Sequence, residues 1–262
     1  MHTKRILTAF AFTLLTILLL LIVASRTSEA AASDGGSSSI DASLGAAVTP
    51  SPAPGVLPGG KEEQADRTES KPDIDVSSWE YILANEEHNI GTYAPHVVTI
   101  ENTAQYFDER AIDALTAFLN AARAAGYSPY IMTAYRSYST QEYILNGRAS
   151  QIAWPNYPTA EDYAEAEQYV AAPGESDHQT GLGLDITDRY YNTMDASQMD
   201  QTFLAWLRDN CAQYGFILRY PANKESITGR NEPWHFRYVG TEAAQYIMDN
   251  NLCLEQFVAL YD

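Results

Sequence analysis

Two histidine-containing segments carry the side chains best suited to chemistry. The first is SDHQTGLGLD at residues 176–185, and the second is EPWHFRY at residues 232–238. Zn²⁺ binds imidazole nitrogen and carboxylate oxygen, and a catalytic zinc site uses three protein ligands and leaves a fourth position open. His178, Asp185 and His235 supply such a set. Each segment alone also fits a structural role, with His178 and Asp185 in a polar loop and His235 at the edge of the core.

A hydrolytic zinc site needs a further carboxylate that takes a proton from water and passes it to the leaving amine. Glu232 is the candidate, three residues before His235. An ideal strand would turn these two side chains to opposite faces. Pro233 cannot sit in a central strand ladder, so it predicts a strand entry or a bulge. A bend there would let Glu232 and His235 converge.

The glycines of the first segment predict open space beside the metal. If residues 181–185 are extended, Leu182 and Leu184 face the core, while Gly181, Gly183 and Asp185 face the other way. Glycine in a strand often marks the close approach of a ligand. We therefore expect the metal and its substrate to lie on this second face.

Three segments together resemble the signature segments of a known family. SDHQTGLGLD, EPWHFRYVG and TAYRSYSTQ are similar to those of the VanY-type zinc D-alanyl-D-alanine carboxypeptidases, which are related to the zinc D,D-dipeptidases and the hedgehog-type zinc domain. The family pattern S-x-H-x-x-G-x-A-x-D is met at Ser176, His178, Gly181 and Asp185. Gly183 replaces the usual Ala, a change between small residues that we expect not to disturb ligation. The resemblance covers residues 73–262.

The resemblance implies specific roles. Zinc would be held by His178, Asp185 and His235, with Glu232 as general base. Arg136, Gln141 and Ser176 would contact the substrate. The chemistry agrees for Arg136, because a guanidinium fork pairs with the free carboxylate that a carboxypeptidase must recognise. Trp234 is interpreted either as a wall of the pocket or as part of the core.

The implied activity is zinc-dependent removal of the C-terminal D-alanine from peptidoglycan stem peptides. One alternative is an L,D-carboxypeptidase, which acts on tetrapeptide stems. A peptidoglycan endopeptidase and a non-catalytic wall-binding module are further alternatives. All four share the stem peptide as partner.

The start of the chain predicts export. Lys4 and Arg5 precede residues 6–24, which contain no charge. Residues 1–25 are therefore interpreted as a signal peptide or an uncleaved membrane anchor. Residues 26–72, rich in Ser, Ala, Gly, Pro and charge, predict a disordered linker. We expect an extracytoplasmic domain, either anchored to the membrane or secreted to the cell wall.

Residues 73–262 have the composition of one folded domain. All 18 Tyr and 4 Trp of the chain lie there. The chain has a net charge of −18, which disfavours nucleic-acid binding because that function needs a basic surface. The two cysteines, Cys211 and Cys253, are compatible with a disulfide or with two buried thiols.

Hydrophobic periodicity predicts an α+β fold, with a small and mainly antiparallel sheet flanked by helices and the zinc site on the sheet. Asp108 is predicted to cap a helix that runs to about residue 125 and ends at Gly126. Further helices are predicted from residue 140 and over residues 161–170, 199–214, 241–250 and 254–260. Strands are predicted over residues 97–100, 130–134, 181–186, 216–220 and 234–239.

Overall fold

The computed structural model describes residues 71–261. The predicted signal segment and the predicted linker up to residue 70 lie outside this range. Within it, the strands are β1 (Val97–Thr99), β2 (Tyr106–Asp108), β3 (Tyr130–Thr133), β4 (Gly183–Thr187), β5 (Phe216–Tyr220) and β6 (Glu232–Tyr238). The α-helices of the same residues are α1 (Ile112–Ala124), α2 (Tyr138–Ala153), α3 (Ala160–Glu167), α4 (Gln201–Asn210), α5 (Glu225–Thr228), α6 (Thr241–Asp249) and α7 (Leu254–Val258).

The strands form two antiparallel sheets. A four-stranded sheet has the order β3-β4-β6-β5, and β1 pairs with β2 in a separate ribbon. The predicted α+β fold with a small antiparallel sheet is confirmed. None of the helices in the part of the chain described here is long and apolar enough to cross a membrane.

One face of the sheet packs against α1 and α4 around Phe118. The Phe118 ring lies 5.4 Å from that of Phe216 in β5, 5.9 Å from that of Phe236 in β6 and 5.5 Å from that of Tyr214. Leu182 and Leu184 belong to the same buried cluster, as their alternation predicted. This packing leaves the opposite side chains of β4 and β6 for the site.

A second buried cluster joins the sheet to the C-terminal helices. Ile217 of β5 packs there with Ile247 of α6, and with Leu254 and Phe257 of α7. The helix α7 is thereby fixed against the sheet by apolar contact.

The prediction that Asp108 caps the first helix is wrong. Asp108 ends β2, where it pairs with Val97, and Ala111 precedes the first helical residue. The buried Asp108 carboxylate instead accepts hydrogen bonds from the backbone N–H of Arg110, at 2.9 Å, and from its Nε, at 2.8 Å. A turn just after the strand thus uses the side chain that the sequence pattern assigned to the helix.

Other helix ends follow from their caps. Ser137 accepts a hydrogen bond from the Thr140 N–H, so α2 begins at Tyr138, two residues before the predicted start. Thr159 forms a capping box with Asp162, so α3 begins at Ala160, one residue before the predicted start, and it ends at Glu167, three residues before the predicted end. Asp200 caps α4, whose predicted span is divided between this helix and the following 3₁₀ turn, Cys211–Tyr214.

Cys211 and Cys253 are buried free thiols in this structure, which selects the second of the two interpretations. Burial raises the pKa of the Cys211 thiol to about 12, so this group stays protonated at neutral pH.

The aromatic cluster predicts a large stability effect at Phe118. Phe118→Ala should lower the free energy of unfolding by about 3–5 kcal/mol, because it removes a fully buried ring and leaves a cavity. Tyr143→Ala, at a site on α2 that is 79% exposed, is the matched control and should change it by less than about 0.5 kcal/mol. Urea unfolding followed by fluorescence measures both, and equal losses would show that Phe118 does not organise the core.

Candidate metal centre and active site

Sheet register brings two of the predicted ligands together. Asp185 of β4 lies directly opposite His235 of β6. Directly opposed residues of an antiparallel pair project from the same face, with Cβ atoms about 5 Å apart. The preceding pair, Leu184 and Phe236, faces the core instead. Asp185 and His235 are therefore placed on the face away from α1 and α4.

His178 reaches the same point from the 3₁₀ turn Asp177–Thr180, which precedes β4. Gly181 ends this turn with φ 77°, a left-handed conformation that glycine adopts without strain. The imidazole rings of His178 and His235 meet nearly edge to face, with their centres 4.7 Å apart. The three predicted ligands are buried, and their ligating atoms lie within 4.8 Å of one another.

Hydrogen bonds determine which imidazole nitrogens face the centre. His178 Nδ1 lies 2.9 Å from the Ala134 carbonyl oxygen, an acceptor, so Nδ1 carries the proton and Nε2 faces Asp185 at 3.5 Å. His235 Nε2 lies 3.0 Å from Asp177 Oδ2, while its Nδ1 lies 3.0 Å from Asp185 Oδ1. Two imidazole nitrogens, each oriented by a partner on the far side of its ring, and one carboxylate match the donor set of a catalytic zinc site.

The two histidines have opposite electrostatic surroundings. Burial and the nearby Arg136 guanidinium lower the pKa of His178 to about 3, so this ring is neutral at pH 7. Burial alone would also lower the pKa of His235, but its hydrogen bonds to Asp177 and Asp185 outweigh this effect and raise it to about 9. The metal-free centre therefore holds an imidazolium at His235.

Glu232 converges on His235 as the bend at Pro233 predicted. Its Oε2 lies 3.7 Å from His235 Nδ1, the nitrogen that faces the centre. The pairing of β5 and β6 shifts register between Leu218 and Tyr220, and Tyr220 pairs with Glu232. This irregularity turns Glu232 towards the same side as His235. The carboxylate is about one quarter exposed, and its other oxygen lies 3.5 Å from Arg230.

Arg136 follows β3 and is fixed at both its backbone and its side chain. Its backbone N–H donates to the His178 carbonyl oxygen at 3.2 Å. Its Nη1 donates to Gln141 Oε1 at 2.7 Å, and Gln141 Nε2 donates to the Ala171 carbonyl oxygen at 2.6 Å. Gln141 is completely buried, so the structure places it behind Arg136 with both amide atoms occupied.

A cavity of about 310 Å³ contains these groups. Around the three candidate ligands it is lined by Arg136, Gln141, Ser176, Tyr220, Glu232 and Trp234. Trp234 also packs against the cluster of Tyr191, Met199 and Leu204, so both interpretations of this residue apply. A second cavity, of about 580 Å³, shares Ala171, Glu175, Tyr220 and Arg230 with the first.

Sequence reasoning missed the residues that surround the ligands. Tyr220 lies against the His235 ring, with centres 4.9 Å apart. Asp177 was passed over as a variable position of the first pattern, although a carboxylate next to a candidate ligand is a usable signal. Arg219 and Arg237 sit inside apolar strands, and such charges predict buried partners. Asp177 is the partner of both.

Gly183 is less interchangeable with Ala than its size suggests. A Cβ atom at this position would lie 3.0 Å from His235 Nε2 and closer still to Asp177 Oδ2. Both atoms belong to buried side chains with fixed partners. Glycine therefore leaves room for the contact between Asp177 and His235.

The chain is similar to proteins of one known family. The family described as "VanY: D-alanyl-D-alanine carboxypeptidase" matches residues 104–241. A D-alanyl-D-alanine carboxypeptidase of Enterococcus faecalis is 38% identical over 188 residues, which are 70% of this chain and 67% of that protein.

Solved structures show the same fold. A vancomycin resistance D,D-pentapeptidase VanY mutant from a VanB-type cassette, in complex with Zn(II), aligns with a TM-score of 0.59 at 36% identity over 69% of this chain and 99% of that chain. The LdcB LD-carboxypeptidase aligns with a TM-score of 0.57 at 38% identity over 68% of this chain and 84% of that chain. The chain therefore belongs to the VanY family of D-alanyl-D-alanine carboxypeptidases.

Proposed function

We propose that this protein is a zinc carboxypeptidase that releases the C-terminal D-alanine from peptidoglycan stem peptides. The observation that carries the proposal is the shared cavity. Three donor atoms that suit zinc lie within 4.8 Å of one another. The same cavity contains the Arg136 guanidinium and the carboxylate of Glu232, which is not one of the three candidate ligands. Family membership and the Zn(II) complex of the VanY pentapeptidase support zinc as the metal.

His178 Nε2, Asp185 and His235 Nδ1 would hold the ion. When bound, zinc supplies Lewis acidity, which polarises a carbonyl group and lowers the pKa of a water molecule to about 7. Glu232 would accept a proton from the attacking water and deliver it to the amine of D-alanine as the peptide bond breaks. Its place beside His235 Nδ1 supports this role.

Arg136 would bind the terminal carboxylate of the substrate. The side chain is partly buried, and burial lowers its pKa from the ordinary value while Asp185 and Glu232 oppose this effect. An arginine keeps its charge under such conditions and pairs with a carboxylate bidentately. Gln141 would orient Arg136 from behind, and Ser176 in the cavity wall would contact the peptide.

The larger neighbouring cavity suits the rest of a stem peptide. It meets the first cavity at Glu175 and Tyr220 and offers about 580 Å³. A substrate longer than a dipeptide would need such continuous space.

The proposed location is outside the cytoplasmic membrane. The uncharged residues 6–24 behind Lys4 and Arg5 support an exported chain, either anchored or released. The linker composition of residues 26–72 supports a domain held at a distance from the membrane. An anchor would raise the effective concentration of enzyme near the cell wall.

The first test uses the full-length chain with one equivalent of zinc and two substrates. A pentapeptide stem and a tetrapeptide stem are incubated separately, and released D-alanine is measured by mass spectrometry. We expect release from the pentapeptide. Release from the tetrapeptide alone would identify an L,D-carboxypeptidase, to which the likeness to LdcB gives support. A zinc-loaded protein that releases no D-alanine from either would contradict the proposal.

Glu232→Gln should keep zinc but lower kcat by about 10²- to 10⁴-fold, because the amide cannot accept the proton of water. Glu101→Gln, at an exposed turn outside the site, is the matched control and should keep wild-type turnover. Zinc content is measured by atomic absorption on the same samples. A Glu232→Gln variant with full turnover would remove Glu232 from the mechanism.

Arg136→Met should lower kcat/KM by roughly 10- to 150-fold, the equivalent of about 1.5–3 kcal/mol for lost charge-assisted hydrogen bonds. A stem peptide with a C-terminal amide supplies the internal comparison. Wild-type enzyme should prefer the free acid strongly, and Arg136→Met should lose that preference. Arg123→Met, on the exposed face of α1, is the control and should keep it. An unchanged preference in Arg136→Met would place carboxylate recognition elsewhere.

Zinc affinity should depend on pH through His235. Because its pKa is raised to about 9, the ring carries a proton below that pH, and zinc must displace the proton from Nδ1. His178 is already neutral, since its pKa is lowered to about 3. The apparent association constant should therefore keep rising by about tenfold per pH unit between about pH 6.5 and 8, where a histidine of ordinary pKa is already mostly neutral. Competition with a chromophoric chelator measures this slope, and a flat profile would mean that His235 is neutral without metal.

A further inference from the structure

We propose that Asp177 is a positioning residue that makes His235 bind metal through Nδ1, and that a buried pair of arginines anchors Asp177 to segments at both ends of the domain. The inference rests on the proposed function in taking zinc as the metal. We call Asp177, Arg219 and Arg237 the carboxylate–arginine brace.

Asp177 lies behind His235 as seen from the metal centre. It is 2% exposed, and its Oδ2 lies 3.0 Å from His235 Nε2, the nitrogen opposite the one that faces Asp185. A carboxylate only accepts hydrogen bonds, so Nε2 must donate its proton to Asp177. Zinc would then displace the other proton, on Nδ1, and bind the lone pair of that nitrogen, which points at the centre. Such outer partners fix the tautomer and ring orientation of a ligating histidine.

Two arginines hold the other oxygen of Asp177. Arg237 Nη1 donates to Asp177 Oδ1, and Arg219 Nε lies 3.4 Å from the same atom. Both arginines are completely buried. A buried carboxylate is costly unless it is paired and hydrogen-bonded, and here each oxygen has a charged or polar partner. Asp177 therefore has little freedom to turn away from His235.

Each arginine is anchored in turn at a distance from the centre. Arg219 donates two hydrogen bonds to Glu255 of α7, at 2.9 and 2.6 Å. Arg237 Nη2 donates to the backbone carbonyl oxygens of Glu80 and Ile82, at 2.9 and 2.8 Å. These three anchors lie outside residues 104–241, the part of the chain that the family description matches. The brace thus draws on segments beyond the motif-bearing region.

The absence of a side chain at Gly183 independently supports the contact between Asp177 and His235. A Cβ atom there would overlap Asp177 Oδ2 and lie 3.0 Å from His235 Nε2, so it would enter the contact that the brace maintains. The missing side chain at residue 183 and the carboxylate at residue 177 are therefore coupled features of this chain. A side chain added at residue 183 should therefore disrupt the contact between Asp177 and His235.

The test measures zinc affinity and the visible spectrum of the Co²⁺-substituted full-length protein. Gly183→Ala should weaken zinc binding by about 10- to 100-fold and alter the cobalt bands, as expected for loss of an outer-shell contact. Gly147→Ala is the matched control, because a Cβ atom there meets nothing within 4 Å. It should leave affinity and spectrum unchanged.

Asp177→Asn should weaken zinc binding to a similar extent with little change in shape. One orientation of the amide puts its NH₂ group against the arginines, and the other puts it against His235 Nε2–H. Both oppose donor to donor. Glu255→Gln, which contacts no ligand, should lower zinc affinity by a smaller factor of about 3–10 by weakening Arg219, and Glu101→Gln should not.

A double variant tests the coupling. In an Asp177→Ser background, Gly183→Ala should cost less than about threefold in zinc affinity, since the clashing carboxylate is gone. Circular dichroism verifies folding, and if Asp177→Ser does not fold, the comparison of Asp177→Asn with Glu101→Gln decides.

Asp177→Asn and Gly183→Ala proteins that bind zinc within twofold of wild type, with unchanged cobalt spectra, would overturn this inference while leaving the proposed function intact. A wild-type chain that binds no zinc would overturn both.

Discussion

The antiparallel register of β4 and β6 is the constraint on which the rest of the site depends. It sets Asp185 opposite His235, and the adjacent pair, Leu184 and Phe236, enters the core. A slip of one residue would exchange the two faces and bury both ligands against α1. Core packing around Phe118 and metal binding are therefore consequences of a single alignment, and the apolar cluster enforces the geometry of the centre.

Charge is distributed in two ways in this protein. The chain carries a net charge of −18, yet Arg219 and Arg237 are completely buried within the sheet. Buried ion pairs are weak sources of stability because both charges lose their hydration. Their value here is orientation, since they hold Asp177 against a histidine. The positive charges of Arg219 and Arg237 thus serve to orient Asp177.

The candidate ligands could be named from sequence because donor chemistry is a local property and because the resemblance to the VanY-type segments joined them into one set, which the structure brings together. Two short segments of the sequence contain His178, Asp185 and His235. The bend predicted at Pro233 explained how the Glu232 side chain could approach His235. Asp108 was misassigned because β-pairing with Val97, a tertiary effect, overrode a local capping signal. Asp177 and Gln141 depend on partners 42 and 30 residues away in sequence, Arg219 and Ala171, which no local pattern reveals.

Arg136 and His178 are tied to each other twice. The Arg136 N–H donates to the His178 carbonyl oxygen, and His178 Nδ1 donates to the carbonyl of Ala134, two residues before Arg136. The residues proposed to bind the terminal carboxylate and the metal are therefore joined by two hydrogen bonds. In the proposed function, these bonds would hold the guanidinium at a fixed distance from the metal, and so the terminal carboxylate at a fixed distance from the bond to be cut. A terminal β-amino acid, whose carboxylate lies one carbon farther from the peptide bond, would then place that bond less favourably.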